Sequence, residues 1–271
     1  MKTLSSIPSA AAELLGCDVV GNAPLHGGDL ADVFRLRLGS GGTVVVKSGP
    51  FPDREGRMLE AMAAAGAPVP RVLASDTRVL VMEDLGPPVG ATEGAWAGFG
   101  AALHELHAAS APRYGWDEDY AFGAVAIRNA RSGNWPQFWF ENRMVADVAL
   151  LPGDVARRLE ALATRLGDLL AAKPPASLLH GDLWSGNIHL SATGAWMIDP
   201  ACYHGDAEVD LAMLTLFGSP PPVFFEAYGP LAPGWQERRA VYQLWPALVH
   251  LRLFGSGYRG LVGGLLDRLG V

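Results

Sequence analysis

The sequence predicts an α+β fold with two lobes, a small β-rich amino-terminal lobe and a larger, mainly helical carboxy-terminal lobe. Three observations support this fold class. Strand patterns dominate residues 18–47, a segment rich in Gly and Pro occupies 83–88, and helical patterns dominate the rest of the chain. We therefore expect one lobe over residues 1–82, a hinge at 83–88 and a second lobe over 89–271.

The composition excludes several classes of protein. Of the 271 residues 49% are apolar, and 21 basic against 28 acidic residues give a net charge of −7. This is the balance of a folded globular protein, and it is unsuited to nucleic acid, which binds a surplus of Lys and Arg. No apolar run has the roughly 18–20 residues that cross a bilayer, so we expect no membrane partner. Cys17 and Cys202 are too few for a disulfide framework, which favours a cytoplasmic location.

The amino-terminal lobe is predicted element by element. Residues 4–16 have the pattern of a short amphipathic helix. Val33–Leu38 alternates apolar and polar residues, a Gly-rich turn comes next, and Thr43–Lys47 is a β-branched run, which together predict a hairpin. A helix is expected over 52–66 and a further short strand over 78–82.

The densest group of chemistry-bearing residues surrounds the one β-hairpin expected in the second lobe, near 187–199. His180, Asp182 and Asn187 precede its first strand, and Asp199 follows its second. If the turn is centred on Thr193, Asn187 lies opposite Asp199, and directly opposed residues have Cβ atoms about 5 Å apart. An amide oxygen and a carboxylate are the hard oxygen ligands that Mg²⁺ prefers, so these two residues predict a magnesium site. Asp182, on the loop, is placed to accept a hydroxyl proton as general base.

The complete spacing is more specific than its parts. Taken singly, the three polar residues are ordinary loop caps or turn residues. The pattern H-x-D-x-x-x-x-N, followed by an Asp at the end of the next hairpin, is typical of phosphoryl-transfer enzymes. Asp199 is followed by Pro-Ala where protein kinases have Phe-Gly, which favours a small-molecule kinase.

A phosphotransferase of this kind also needs a strand Lys held by a carboxylate on the next helix. Three of the 21 basic residues are Lys, and one of them, Lys47, ends a predicted strand. At about 100° per residue, Glu55 shares a helix face with three apolar side chains, whereas Glu60 points away from that face. We therefore predict a Lys47–Glu55 ion pair that orients nucleotide phosphates, and a solvent-exposed Glu60.

Backbone groups are expected to supply the other nucleotide contacts. Gly27 and Gly28 predict a loop that covers phosphates with N–H groups, with a simple hairpin turn as the alternative. Met82, Glu83 and Leu85 lie in the predicted hinge, where backbone groups would contact adenine.

Two residues are predicted to support the loop 180–187. Asp210 lies in a segment, starting at Tyr203, that is expected to begin a helix. We expect Asp210 to accept hydrogen bonds from the loop backbone, because a buried carboxylate without donors would cost several kcal/mol. His180, within the loop, is assigned the same supporting role.

The residues around these motifs resemble the fructosamine kinase, or ketosamine-3-kinase, family, which belongs with the aminoglycoside-phosphotransferase-like and protein-kinase-like folds. The resemblance is carried by the Asp-Leu-Trp-Ser-Gly-Asn sequence of 182–187, by 198–218, and by matches over 120–143 and 224–258. It implies ATP and Mg²⁺ as cofactors and the 3-hydroxyl of a ketosamine as acceptor, attached to a small amine or to a glycated protein lysine. Decomposition of the 3-phosphate would free the amine, so the implied role is deglycation.

The resemblance also assigns individual residues. It makes Asp182 the base, Asn187 and Asp199 the magnesium ligands, and Lys47 with Glu55 the pair that orients phosphates. One departure from the family is Asp29, which stands where many relatives have a Cys after the Gly pair. Redox control through that loop is therefore expected to be absent.

The acceptor pocket is assigned to three candidates. Trp184, next to the base, is expected to pack against the sugar or, by a cation–π contact, against the amine, with packing in the core as the alternative. His204 or Glu208 would bind sugar hydroxyls.

The sequence leaves three alternative functions open. One is another kinase of the same fold, acting on an aminoglycoside, choline or homoserine. Another is a nucleotide-binding pseudokinase without turnover. A third is a metal hydrolase using His180, His189 and Asp199, weakened because the residue expected opposite His189, Met197, is apolar.

Overall fold

Five antiparallel strands form the sheet of the amino-terminal lobe in the computed structural model, which describes residues 6–25 and 31–271. Their spatial order is β1-β2-β3-β5-β4, and two helices flank them. In chain order the elements are α1 (Ser6–Leu15), β1 (Val19–Leu25), β2 (Val33–Leu38), β3 (Thr43–Lys47), α2 (Pro52–Ala64), β4 (Val72–Ser75) and β5 (Leu80–Glu83).

Alternation along these strands sorts their side chains onto two faces. Leu36, Val46 and Val81 are buried in a small cluster with Ile7 of α1. The opposite face packs against α2, where Leu80 joins a larger cluster. Because the side chains of successive residues point to opposite faces, Lys47 follows Val46 onto the α2 side. Lys47 is the only Lys in the strands of this sheet, and the alternation of side chains places it beneath α2.

The carboxy-terminal lobe consists of helices with three small sheets between them. Strands β12, β9 and β6 form one sheet in that order, and two hairpins form the others. The elements are α3 (Glu93–Ala108), β6 (Ser110–Ala111), β7 (Tyr120–Phe122), β8 (Val125–Ile127), α4 (Trp135–Trp139), α5 (Gly153–Ala163), α6 (Leu166–Leu169), β9 (Ala176–Leu179), β10 (Ile188–Ser191), β11 (Gly194–Met197), β12 (Tyr203–Gly205), α7 (Glu208–Leu214), α8 (Pro222–Tyr228), α9 (Trp235–Phe254) and α10 (Arg259–Arg268).

The main hydrophobic core crosses from one lobe to the other. Met58 of α2 and Leu80 of β5 belong to the same cluster as Trp139 and Leu248 of the helical lobe. A backbone hydrogen bond of 2.8 Å from the Met197 N–H to the carbonyl of Pro68 also joins them. The lobes are therefore packed together, and the division at 83–88 stays a prediction.

One close approach in the helical lobe depends on a missing side chain. Helix α3 packs on α8, and a Cβ on Gly100 would lie 2.3 Å from the carbonyl oxygen of Phe224. This separation is far inside van der Waals contact, so the two helices reach their observed distance because residue 100 is glycine.

The predicted fold class is confirmed, whereas three local predictions are wrong. Strand β4 and the short strands of the helical lobe were not expected. Tyr203–Gly205 is a strand paired with β9, and the helix begins only at Glu208. The hairpin loop has two residues, since Ser191 pairs with Gly194, and this shifts the register by one. His189 therefore lies opposite Trp196 and not Met197.

Within residues 6–25 and 31–271, no helix is both long enough and apolar enough to cross a membrane.

Candidate active site

The loop between β9 and β10 is held in a tight conformation by a glycine. Gly181 has φ 82°, in the left-handed region that glycine adopts without strain. A Cβ at this position would lie 2.0 Å from the carbonyl oxygen of Ala201. The Ala201 N–H in turn donates to the His180 carbonyl at 2.8 Å. The loop is therefore pinned against the segment that follows Asp199.

A buried carboxylate supports the same loop from beneath. Asp210 accepts hydrogen bonds from the backbone N–H groups of His180, at 2.7 Å, and Gly181, at 2.9 Å. Its Oδ2 also lies 3.1 Å from Nε2 of His107. Burial opposes the charge of Asp210, but His107 and the backbone donors outweigh it and lower the pKa of the carboxyl. The contacts expected of Asp210 are present, and the carboxylate stays charged.

The hydrogen bonds of His180 fix its tautomer. Its Nδ1 accepts from the Asp182 N–H at 3.2 Å, so the proton is on Nε2, which donates to the Ile198 carbonyl at 2.9 Å. Burial lowers the pKa of His180, in keeping with a neutral ring. Both ring nitrogens are occupied, so His180 supports the loop and is not available as a metal ligand. This geometry disfavours the metal hydrolase that the sequence left open.

The amide of Asn187 ties the two ends of the loop together. Its Nδ2 donates to the Asp182 carbonyl at 2.7 Å and to Oδ2 of the Asp182 carboxylate at 3.0 Å. These bonds commit the amide nitrogen and leave the amide oxygen of Asn187 as its ligand atom. The same bonds orient the Asp182 carboxylate.

The environment of Asp182 makes its carboxyl a weak acid. Burial is the largest influence, and together with the charge of Asp199 it overcomes the hydrogen bond from Asn187 and raises the pKa of Asp182 to about 7. A carboxylate with such a pKa is a stronger base than an exposed one, which suits it to accept a proton near neutral pH.

Lys47 lies between two carboxylates. Its Nζ is 2.8 Å from Oε1 of Glu55 on α2 and 2.8 Å from Oδ1 of Asp199. Burial opposes the ammonium charge, but the two carboxylates outweigh it and raise the pKa of Lys47. The Lys47–Glu55 contact expected from the helix geometry is present, and Glu60 is exposed, also as expected. The second contact, with Asp199, was not expected.

Asp199 is positioned by a backbone turn, whereas the sequence predicted that it would pair with Asn187 in the hairpin. In the observed register Ile198, and not Asp199, lies opposite Asn187, and the Ile198 N–H donates to the Asn187 carbonyl at 3.1 Å. Asp199 comes next with φ 57°, the one left-handed residue other than glycine in the described part of the chain. Such a conformation costs about 1–3 kcal/mol and is concentrated at functional sites. The backbone turn, and not the strand ladder, brings its carboxylate to Lys47.

Sequence reasoning missed two residues that support the site. The Tyr120 hydroxyl, on β7, donates to Oε2 of Glu55 at 3.2 Å. His107 lies on α3 and links Asp210 to the hydroxyl of Tyr228, 2.9 Å from its Nδ1. His107 lies on the buried face of α3 among apolar residues. A polar residue at such a position indicates a buried hydrogen bond, so the sequence could have identified His107 as a supporting residue. Tyr120 begins the segment 120–143 that resembles the family, but no role was assigned to it.

The polar residues of the site lie at a cavity of about 580 Å³ between the lobes. Lys47, Asp182, Asn187 and Asp199 line it, together with Trp184, which is 39% exposed. The Trp184 ring lies over residue 186, where a Cβ would be 2.3 Å from the ring. Because residue 186 is glycine, the Trp184 ring can pack on it and line the cavity together with Asp182.

Two predicted acceptor residues do not line this cavity, so their assignment to sugar hydroxyls stays a prediction that the cavity does not support. The carboxylate of Glu208 is bound by Arg238 through two hydrogen bonds of 2.7 and 2.6 Å. The ring of His204 stacks on Trp116 at a centroid distance of 5.4 Å. Both side chains are held by partners elsewhere, and neither lines the cavity.

The predicted adenine and phosphate contacts stay predictions. Met82 is buried in the core, and the Glu83 N–H already donates to the Arg71 carbonyl at 2.9 Å. Leu85 lies half-buried just beyond β5. Gly27, Gly28 and Asp29 lie outside the described residues.

The donor set at the polar end of the cavity fits a magnesium ion. One amide oxygen and one carboxylate, from Asn187 and Asp199, line the cavity beside the ammonium of Lys47. Mg²⁺ binds proteins through one or two such oxygens and takes its other ligands from water and phosphate. A lysine–glutamate pair and an Asp–Asn–Asp group in one interlobe cavity define the class of this protein, a protein-kinase-like phosphotransferase.

Comparison with known proteins gives the family within that class. A sequence model of the fructosamine kinases matches residues 11–270, and the chain belongs to the fructosamine kinase family. It is 35% identical over 266 residues to a protein of Thermus thermophilus named as a probable ketoamine kinase, covering 93% of this chain and 96% of that protein.

Solved structures agree with this assignment. A Thermobifida fusca protein assigned as a fructosamine-3-kinase has 32% sequence identity and a TM-score of 0.89, over 98% of this chain and 99% of that one. A choline/ethanolamine kinase family protein from Mesorhizobium loti shares the fold at a TM-score of 0.64 and 19% identity, over 97% and 92% of the two chains.

Proposed function

We propose that this protein is an ATP-dependent kinase that phosphorylates the 3-hydroxyl of ketosamines. The observation that carries the proposal is the Asp182 carboxylate, oriented by Asn187 and facing the same cavity as Lys47 and Asp199, in a chain of the fructosamine kinase family. The acceptor class comes from the family, and the reaction type comes from the site.

The polar end of the cavity suits the nucleotide. Lys47, oriented by Glu55, would contact the phosphates of ATP, and Asn187 and Asp199 would hold Mg²⁺. When bound, the metal ion would neutralise charge that develops on the phosphate oxygens. Backbone groups of Met82, Glu83 and Leu85 are proposed to contact the adenine, and those of Gly27 and Gly28 the phosphates.

Asp182 is proposed as the catalytic base. As the 3-hydroxyl oxygen forms its bond to the γ-phosphorus, the bond from that phosphorus to the bridging oxygen breaks and ADP leaves. The hydroxyl proton passes to Asp182, whose raised pKa, about 7, makes it a suitable acceptor. Asn187 keeps the carboxylate in place during the transfer.

The product accounts for the proposed cellular role. A ketosamine 3-phosphate decomposes and frees its amine, so the reaction would reverse glycation of small amines or of protein lysines in the cytoplasm. Trp184 is proposed to contact the acceptor, because it lies at the cavity edge two residues from the base.

The test is ATP-dependent phosphorylation of a panel of ketosamines with ribulosyl, erythrulosyl and fructosyl sugars, with choline and an aminoglycoside alongside. We expect phosphate transfer to at least one ketosamine, at the 3-position by NMR, and none to choline or the aminoglycoside. Asp182→Ala should lose turnover and still bind ATP, measured by calorimetry.

Three results would contradict the proposal. Preferred transfer to choline or the aminoglycoside would replace the acceptor class, and absence of any transfer with intact ATP binding would favour a pseudokinase. Equal turnover by Asp182→Ala would remove the assigned base.

A further inference from the structure

Four aromatic rings form a cluster on the helical wall of the cavity. His250 of α9 is the centre, with ring centroids 4.8 Å from Phe217, 5.5 Å from Phe254 and 5.0 Å from Tyr258. Phe254 and Tyr258 are 5.9 Å apart. All four residues line the same cavity as Asp182. We refer to these four residues as the outer aromatic cluster.

The cluster is exposed to an unusual degree for large apolar side chains. Phe217 and Phe254 are 41% and 45% exposed, and Trp184, which also lines the cavity, is 39% exposed. They make up three of the six large apolar side chains that residues 6–25 and 31–271 leave exposed. Apolar surface gathered at one concave place is typical of a ligand-binding site.

The cavity extends from the polar end, where the nucleotide phosphates are proposed to bind, to the outer aromatic cluster. Its volume of about 580 Å³ lies in the range of about 300–1,000 Å³ that holds a drug-sized ligand. Asp182 fixes where the reacting hydroxyl must lie, at the polar end. The outer aromatic cluster therefore faces the part of the acceptor beyond the sugar, which in a ketosamine is the amine and its substituent.

The charges in the cavity limit the chemistry of that substituent. Its described lining residues include the carboxylates Glu55, Asp182 and Asp199, one ammonium, Lys47, and no Arg. Lys47 is already paired. Burial lowers the pKa of His250, whose Nδ1 is 2.8 Å from the Pro246 carbonyl, so its ring is neutral near pH 7. A cationic amine at the outer aromatic cluster is thus matched by the ring faces, whereas a carboxylate on the substituent meets no unpaired cation among the described lining residues.

We propose that the outer aromatic cluster is a binding subsite for the amine side of the acceptor, selective for an apolar or aromatic substituent that carries no carboxylate. The proposal rests on the proposed function. It makes Phe254 and Phe217 specificity-determining residues that act through ring stacking and cation–π contact with the secondary ammonium.

The experiment compares three substrates that share one sugar, the ribulosyl, erythrulosyl or fructosyl group that the ketosamine panel identifies as the best acceptor. The sugar is attached to methylamine, benzylamine or glycine, and each compound is tested with the wild type and with Phe254→Ala. For the wild type we expect kcat/KM for the benzylamine compound to exceed that for the methylamine compound about tenfold, mainly through KM, because the benzyl ring gains aromatic contacts while the ammonium is common to both. We expect the glycine compound to be the poorest of the three. In Phe254→Ala the tenfold ratio should fall to about twofold, and because it compares two substrates on one variant, partial loss of folded enzyme leaves it unchanged.

The matched control is Leu150→Ala, which removes another exposed apolar side chain, 70% exposed, outside the cavity. It should keep the wild-type ratio. Equal kcat/KM for the benzylamine and methylamine compounds in the wild type would overturn the subsite, as would an unchanged ratio in Phe254→Ala or a preference for the glycine compound. Turnover of the methylamine compound separates these outcomes from failure of the proposed function, in which none of the three compounds is phosphorylated.

Discussion

Tyr120 connects the helical lobe to Glu55 of the lysine–glutamate pair, as Asp199 connects it to Lys47. Its hydroxyl donates to Glu55, and Glu55 accepts from Lys47. A single hydrogen bond to a charged group is worth about 1.5–3 kcal/mol. We therefore expect the Tyr120 hydroxyl to help hold Glu55 in one position, and Glu55 in turn holds the ammonium of Lys47.

We predict that Tyr120→Phe lowers kcat/KM for ATP about tenfold, because the hydrogen bond is lost while the ring keeps its place. Steady-state kinetics at varied ATP measures the effect. Tyr114→Phe is the matched control, since its hydroxyl donates to the Pro174 carbonyl at 2.7 Å and does not line the cavity. If both variants change kcat/KM equally, Tyr120 has no positioning role.

His250 predicts a dependence of stability on pH. Burial lowers the pKa of His250 below its ordinary value of about 6.5, so above that pH the ring is neutral in both states. Below it the unfolded chain binds a proton that the folded chain resists, and stability is lost as pH falls towards the folded pKa.

The expected slope is at most about 1.4 kcal/mol per pH unit. Other buried groups titrate in the same range, so the prediction concerns the difference between wild type and His250→Phe. Urea denaturation should show the wild type losing stability relative to His250→Phe between pH 7 and 5. A constant difference would show that His250 ionises equally in both states.

At the level of the elements, the contact of α3 with α8 predicts opposite effects for two glycines on one helix. Gly100→Ala places a methyl group against the Phe224 carbonyl and should destabilise the fold by about 1–3 kcal/mol. Gly98→Ala meets nothing within 4 Å and should stabilise α3 by about 0.5–1 kcal/mol. Thermal denaturation of both variants measures the two effects. Destabilisation of similar size in both would show that helix packing is not the cause.

Elements with a strong local pattern were predictable from the sequence, and those that depend on distant partners were not. Alternation predicted β2 and β3, and helix periodicity identified Glu55. The strand Tyr203–Gly205 forms because it pairs with β9, more than twenty residues earlier, and its own sequence does not show this. The predicted hairpin register was wrong by one residue, because the loop has two residues and a change of one residue in loop length shifts every pair of the ladder.

The same distinction holds for the candidate site. Asp182, Asn187 and Asp199 were found from their spacing along one loop and one hairpin. The partners of the two acceptor candidates were not foreseen, because Arg238, which binds Glu208, lies thirty residues away on α9, and Trp116, which stacks on His204, lies still further away. A polar residue that is close to a motif in sequence can be bound by a partner that is distant in sequence, and the sequence alone does not show such a contact.

For the whole molecule, the shared core predicts that both lobes unfold together. All eight Trp lie between residues 96 and 245, so intrinsic fluorescence reports on the helical lobe. Cys17, partly exposed between α1 and β1, takes a thiol-reactive dye, whereas Cys202 is buried. We expect coincident urea transitions for Trp fluorescence and the dye, because Met58 and Leu80 lie in the same cluster as the helical lobe.

Two separate midpoints would show that the amino-terminal sheet unfolds independently, and that the lobes are weakly coupled. Cys17→Ser, which should take up no dye, is the control for selective labelling.

The chain of contacts from Tyr228 through His107 to Asp210 ends on the backbone of the loop that carries Asp182. Tyr228 lies on α8 and has no part in the cavity wall. Directed evolution that mutates only positions near the bound substrate would therefore overlook Tyr228, which we expect to help hold the loop of Asp182 through His107 and Asp210.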